Sequence, residues 1–111
     1  MLKLLSAIAA GLLVLGFASI AVANEFDVDA GKRKAEKVAK QLCKDDKYCV
    51  EGSETGRYCD KSTDHKAKCV AFYTKRKPSG DRQVCRTPVS VKLSHQSGRY
   101  TVGNVGKTRC S

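Results

Sequence analysis

Six cysteines, Cys43, Cys49, Cys59, Cys69, Cys85 and Cys110, are the residues of this chain with the most chemistry to offer. Thiolates bind zinc, attack electrophiles or oxidise in pairs, and spacing separates these uses. Successive cysteines are separated by 5, 9, 9, 15 and 24 residues, so there is no Cys-x-x-Cys pair. The zinc knuckle and the thioredoxin-type redox motif therefore drop out, and an even set in a short chain reads as a disulfide framework. No metal and no cofactor is expected.

The other reactive groups are sparser. His65 and His95 are the two histidines of the chain. A basic ribonuclease would need an acid–base pair, here His95 with Glu51 or Glu54, and a cation such as Arg99 to stabilise the pentavalent phosphate. Each residue is present, but any basic chain of this length carries such a set, and histidines in turns are ordinarily solvated. A non-enzymatic role is expected.

Charge is more informative. Residues 24–60 hold 8 Lys/Arg against 9 Asp/Glu, whereas residues 61–111 hold 12 Lys/Arg and only Asp64 and Asp81 as acids. A positive field concentrated in one half favours an anionic partner, such as phospholipid, acidic polysaccharide or nucleic acid. Lys75, Arg76, Lys77 and Arg82 gather around one turn, with Arg86 and Arg99 farther along the same half. These six are the candidate contacts for phosphate or sulfate.

The N-terminus explains where disulfides would form. Lys3 precedes an uncharged apolar stretch from Leu4 to Ile20, followed by Ala21-Val22-Ala23. This is the form of a secretory signal peptide over residues 1–23, leaving a single domain over 24–111. Export is expected, to the extracellular space or to a Gram-negative periplasm, where disulfides persist. Lys32-Arg33 could also be a dibasic processing site, which would make 24–33 a short acidic propeptide. No second segment is long and apolar enough for a membrane span.

The elements that must position these groups follow from periodicity. Asp27 or Asp29 caps a helix from about Ala30 to Leu42, with Ala35, Val38, Ala39 and Leu42 on one face and Arg33, Lys37, Lys40 and Lys44 opposite. The polar stretch from Cys43 to Cys69 reads as loops with a short hairpin through Gly52–Gly56. Strands follow at Ala67–Lys75, Gln83–Leu93 and Arg99–Val105, joined by turns around Pro78 and at 94–98. Pro88 marks an edge or a bulge. The expected fold is α+β: one helix packed on a three-stranded antiparallel meander and stapled by disulfides. Its core would draw on Val38, Leu42, Val50, Val70, Phe72, Val84, Val89, Val91, Leu93, Val102 and Val105. Six cysteines allow fifteen pairings, and a turn near Pro78 favours Cys69 with Cys85, leaving Cys110 with an unassigned partner.

Cysteine spacing excludes two familiar scaffolds. Neither the Cys-x-x-x-Cys and Cys-x-Cys pair of defensin-like folds nor the adjacent cysteines of knottins occur. Composition alone is similar to that of the cationic cysteine-rich proteins that fungi and bacteria secrete as antimicrobials, toxins or host-directed effectors. The leading expectation is such a monomeric protein, acting on an anionic surface or a host protein. The alternative is a non-toxic extracellular binding or inhibitor module that exposes a loop such as Glu51–Arg57.

Overall fold

A computed structural model describes residues 25–111; the segment expected to be a signal peptide, residues 1–23, lies outside the described residues. The order of elements is α1 (Val28–Asp45), β1 (Thr55–Thr63), β2 (Lys66–Arg76), β3 (Arg82–Leu93), β4 (Tyr100–Val105) and the short β5 (Arg109–Cys110). The strands run antiparallel in the order β1-β2-β3-β4, and β5 also pairs with β3. One helix packed on a meander is thus the fold, with β1 and β5 added to the three strands legible in the sequence.

α1 starts where an acid can receive its free amides. Asp27 is the N-cap, and its carboxylate accepts from the Asp29 amide at 3.0 Å. Such a cap contributes about 1 kcal/mol. Gly31, Ala35, Ala39 and Cys43, spaced by four, form the buried stripe. Small side chains on this stripe let the helix lie close to the sheet. A Cβ on Gly56 of β1 would meet the Lys32 carbonyl oxygen, and would sit 2.7 Å from the Glu36 nitrogen and 2.8 Å from the Ala35 Cβ. Helix backbone cannot yield to that.

The sheet face under α1 carries Ala67, Cys69, Ala71 and Tyr73 of β2 with Cys85, Thr87, Val89, Val91 and Leu93 of β3, all buried. Phe26, just before the helix, joins them and stacks edge-on against Tyr100 at 5.1 Å, while the Tyr100 hydroxyl accepts from the Asp27 amide. The Thr87 hydroxyl is satisfied by Thr108 at 2.7 Å. Strand alternation sends Val70, Phe72 and Val84 to the opposite face. Val84, Val102 and Val105 are exposed, so the core is smaller in side-chain volume and richer in alanine and cysteine than hydropathy alone suggests.

The disulfides join neighbours in sequence: Cys43–Cys49, Cys59–Cys69 and Cys85–Cys110. This corrects the expected Cys69–Cys85 bridge. The β2–β3 connection turns at Lys77–Asp81, where Lys77 donates to the Asp81 carbonyl and Gly80 adopts a φ of 94°. Arg76 therefore faces Arg82, Tyr73 faces Cys85, and Cys69 faces Val89. Four residues of strand, about 13 Å, separate the two cysteines along the ladder, beyond the reach of a disulfide. Each bridge has a distinct task. Cys43–Cys49 clamps the end of α1, Cys59–Cys69 ties β1 to β2, and Cys85–Cys110 holds β5 on β3.

β1 is the strand that the sequence conceals. Its burial pattern shows only intermediate and exposed positions, because it is a sheet edge covered by α1 on one side and open on the other. The segments flanking the turn at Gly52–Gly56 do not pair with each other; Cys49 bridges to Lys75, and Thr55–Arg57 pairs with Val70–Phe72. Both add to β2. Pro88 lies on interior strand β3, where the β4 register breaks between Val89 and Val91 and the Pro88 carbonyl accepts from Gly106. The missing amide points to the same side as that carbonyl, so the bulge half of the expectation holds and the edge half does not.

Lys32-Arg33 lies inside the second turn of α1. Cleavage there would take Phe26 and the Asp27 cap away with residues 25–33.

Two stability measurements probe this arrangement. Gly56→Ala should lower stability by about 2 kcal/mol or more, measured by urea unfolding, because a packed helix backbone occupies the space of the new methyl. Loop-closure entropy assigns about 2, 3 and 3.5 kcal/mol to bridges with sequence separations of 6, 10 and 25. Paired Cys→Ser variants should follow that order, with Cys85/Cys110 the most damaging.

Candidate cationic sheet face

α1 covers one face of the sheet and leaves the other to solvent. Arg76 and Arg82, Arg86 and Arg109, and Lys66 and Lys92 stand directly opposite one another across strand pairs on this open face. All six are exposed. Like charges set opposite each other destabilise a sheet, yet three such pairs recur here. Arg57 and Lys68 add two further cations, and among the described strand residues on this face the single acid is Asp60, opposite Lys68. From Arg82 to Lys92 the row follows β3 for about 33 Å at ~3.3 Å per residue.

The centre of the face is apolar. Val70, Phe72, Val84 and Pro88 lie between the cations, and Tyr58 meets Phe72 edge-on at 5.6 Å between ring centroids. Tyr58 reaches this position through a bulge, because the β1–β2 register shifts between Arg57 and Asp60. It has a φ of 57° and is 67 % exposed. A non-glycine residue in this region costs about 1 kcal/mol or more. A shallow cleft of about 210 Å³ opens beside the ring pair, lined by Ser53, Thr55, Arg57, Thr74 and Val84.

The six cations singled out from the sequence divide. Arg76, Arg82 and Arg86 belong to the open face, and Lys77 sits in the adjoining turn. Lys75 faces the helix side, 3.3 Å from the Asp46 carboxylate and near the Tyr48 ring. Arg99 stands in the β3–β4 loop at the opposite end of the sheet. Arg57, Lys66, Lys68, Lys92 and Arg109 were not singled out. The period-two pattern of β3 exposes Lys92 to discovery, but Arg57 and Arg109 belong to strands with no apolar alternation to announce them. Arg33, Lys37, Lys40 and Lys44 form a second cationic surface on the outer side of α1, partly offset by Glu36, which pairs with Lys40 at 3.9 Å.

Asp46 explains why Lys75 is withdrawn. Its carboxylate accepts from the Tyr48 amide at 3.0 Å and from the Tyr73 hydroxyl at 3.0 Å, besides pairing with Lys75. Burial pushes the carboxyl up, but the Tyr48 amide, the Tyr73 hydroxyl and Lys75 together outweigh it and hold the group below its ordinary value. Tyr73 moves the opposite way, raised by burial and then by its bond to the Asp46 charge.

The ribonuclease constellation is not assembled. Glu54 lies at the Phe72–Thr74 level of β2, with its carboxylate on the Gly52 amide, whereas His95 follows the end of β3 beyond Lys66. Those levels are about 20 Å or more apart. His95 instead meets His65, ring centroids 4.8 Å apart, where the β1–β2 and β3–β4 turns come together. Glu54 also lies 3.3 Å from the Cys43 sulfur, but Cys43 and Cys49 are joined in a disulfide and have no thiolate to offer a metal. The Glu51–Arg57 stretch is held against β2, with the Ser53 hydroxyl accepting from the Thr74 amide. No protein-family model, curated protein or solved structure matches the chain.

A depressed carboxyl adds stability above its unfolded value and loses it as pH falls through the folded one. Asp46→Asn should therefore melt at a lower temperature than the wild type at pH 7. The difference should begin to shrink below the ordinary carboxylate value of about 4 and vanish as pH falls through the lower value of the folded Asp46, where the wild-type carboxylate itself protonates; circular dichroism melts across this range measure both.

Proposed function

We propose that this protein is an exported, cationic polyanion-binding module that works through the uncovered face of its sheet, within the broad class of secreted antimicrobial, toxin or effector proteins. The observation carrying this reading is the set of three like-charge cross-strand pairs, Arg76–Arg82, Arg86–Arg109 and Lys66–Lys92. Each pair would be relieved by an anion placed between its members, so binding energy and relief of internal repulsion add. The row extends along a strand, which fits a polymer or surface with repeated charges better than a single small anion.

Disulfides support the exported half of the reading. All six cysteines are paired, as they are in chains that fold in oxidising compartments. No helix among the described residues is long and apolar enough to cross a membrane.

Binding should be electrostatic and localised. Retention on heparin and on vesicles containing anionic phospholipid should fall steeply with salt, since exposed charges are screened over about 8 Å at physiological ionic strength. Arg82→Glu with Arg86→Glu should abolish it at about 150 mM salt, whereas Lys37→Glu with Lys40→Glu, which changes charge equally on α1, should cost far less. Equal losses from the two double variants would show that net charge, not this face, governs binding.

A further inference from the structure

Charge alone does not account for the middle of the open face. A polyanion-binding sheet needs cations in a row; it does not need an aromatic ring held out to solvent at a strained backbone position. Tyr58 is such a ring. The bulge that inserts it into β1 gives it a φ of 57°, leaves it 67 % exposed, and brings it edge-on to Phe72 at 5.6 Å. Strain of this kind persists where the surroundings impose it, and it collects at ligand sites. Here the surroundings are Cys59–Cys69, which ties the next residue of β1 to β2, and Gly56, which lies against α1. The bulge is pinned on both sides.

Resting on the proposed polyanion-binding role, we infer that Tyr58 and Phe72 form a base-stacking subsite and that the polyanion is a single-stranded nucleic acid. Aromatic rings on a basic groove bind unpaired bases because every base presents a π face, while neighbouring cations follow the phosphates. The cleft of about 210 Å³ beside the rings has room for one planar ring, and Thr55 and Thr74 are among the polar side chains that line it. Arg57, also lining it, and Arg86, opposite Phe72 on β3, flank the rings with positive charge. A base-paired duplex keeps its bases stacked internally and would have none to offer. Sulfated polysaccharides carry no planar ring, and a lipid surface is met by a protruding apolar edge, not by a cleft lined in part by polar side chains.

The experiment compares fluorescence anisotropy of the intact disulfide-bonded protein with three labelled probes at low salt. These are an oligothymidylate of about ten nucleotides, the abasic deoxyribose-phosphate oligomer of equal length, and a heparin oligosaccharide. The oligothymidylate should bind about tenfold or more tightly than the abasic oligomer. Tyr58→Gly should erase that difference while leaving the abasic oligomer's affinity unchanged, and Tyr58→Phe should keep it. Glycine tolerates the positive φ, so Tyr58→Gly should melt no lower than the wild type. Equal binding of all three probes, or an unchanged oligothymidylate affinity in Tyr58→Gly, would overturn the stacking subsite while leaving the polyanion reading standing. Failure of all three probes to bind at low salt would overturn both.

Discussion

Everything in this domain is organised by the close approach of α1 to the sheet. Gly31, Ala35 and Ala39 give the helix a flat, shallow stripe, and Gly56 gives β1 no side chain where the two backbones meet. Small residues contribute less apolar area than leucine or phenylalanine would, at about 25 cal/mol per Å² removed from water. The interface is therefore close-packed but modest, and covalent bridges complement it. Cys43 closes the helix end and Cys59–Cys69 lies beneath the helix, so two of the three disulfides act at this contact.

A single helix covers a single face. That asymmetry decides the character of the other side, because strand alternation delivers every second residue of β2 and β3 to solvent. The covered side takes alanine, valine, cysteine, Leu93, Thr87 and one tyrosine. The open side takes lysine and arginine, with Phe72 and Val84 left among them. Asp46 sorts the boundary: by binding Lys75 and Tyr73 on the helix side it removes one cation from competition and fastens the end of α1 to β2. The basic face is the residue of this partition, concentrated because Asp60 is the one acid the described strands place there.

Much of this was legible in the chain. The helix, an aspartate cap at Asp27 or Asp29, the β2, β3 and β4 strands within a residue or so, and the participation of all six cysteines follow from periodicity, turn residues and cysteine count. β1 was not, since Thr-Gly-Arg-Tyr-Cys-Asp-Lys-Ser-Thr shows no apolar alternation; its partners are supplied by β2 and α1, both distant in sequence. The cationic cluster was half visible. Lys75, Arg76 and Lys77 are adjacent along the chain and Arg82 lies just across the turn, but adjacent residues in a strand face opposite ways, and the ladder keeps Arg76 with Arg82 while turning Lys75 inward.

By itself, the sequence determined the class of fold, the oxidised cysteines and the excess of positive charge in the C-terminal half, because these depend on composition and short-range periodicity. Only the tertiary structure decided the pairing of the cysteines, the seating of Arg86 against Arg109 and Lys66 against Lys92, and the placement of Tyr58 on Phe72. The physical reason is register. A shift of a few residues in the β2–β3 turn moves every cross-strand neighbour, and a single inserted residue in β1 sends a side chain to the opposite face. Composition carries no trace of either.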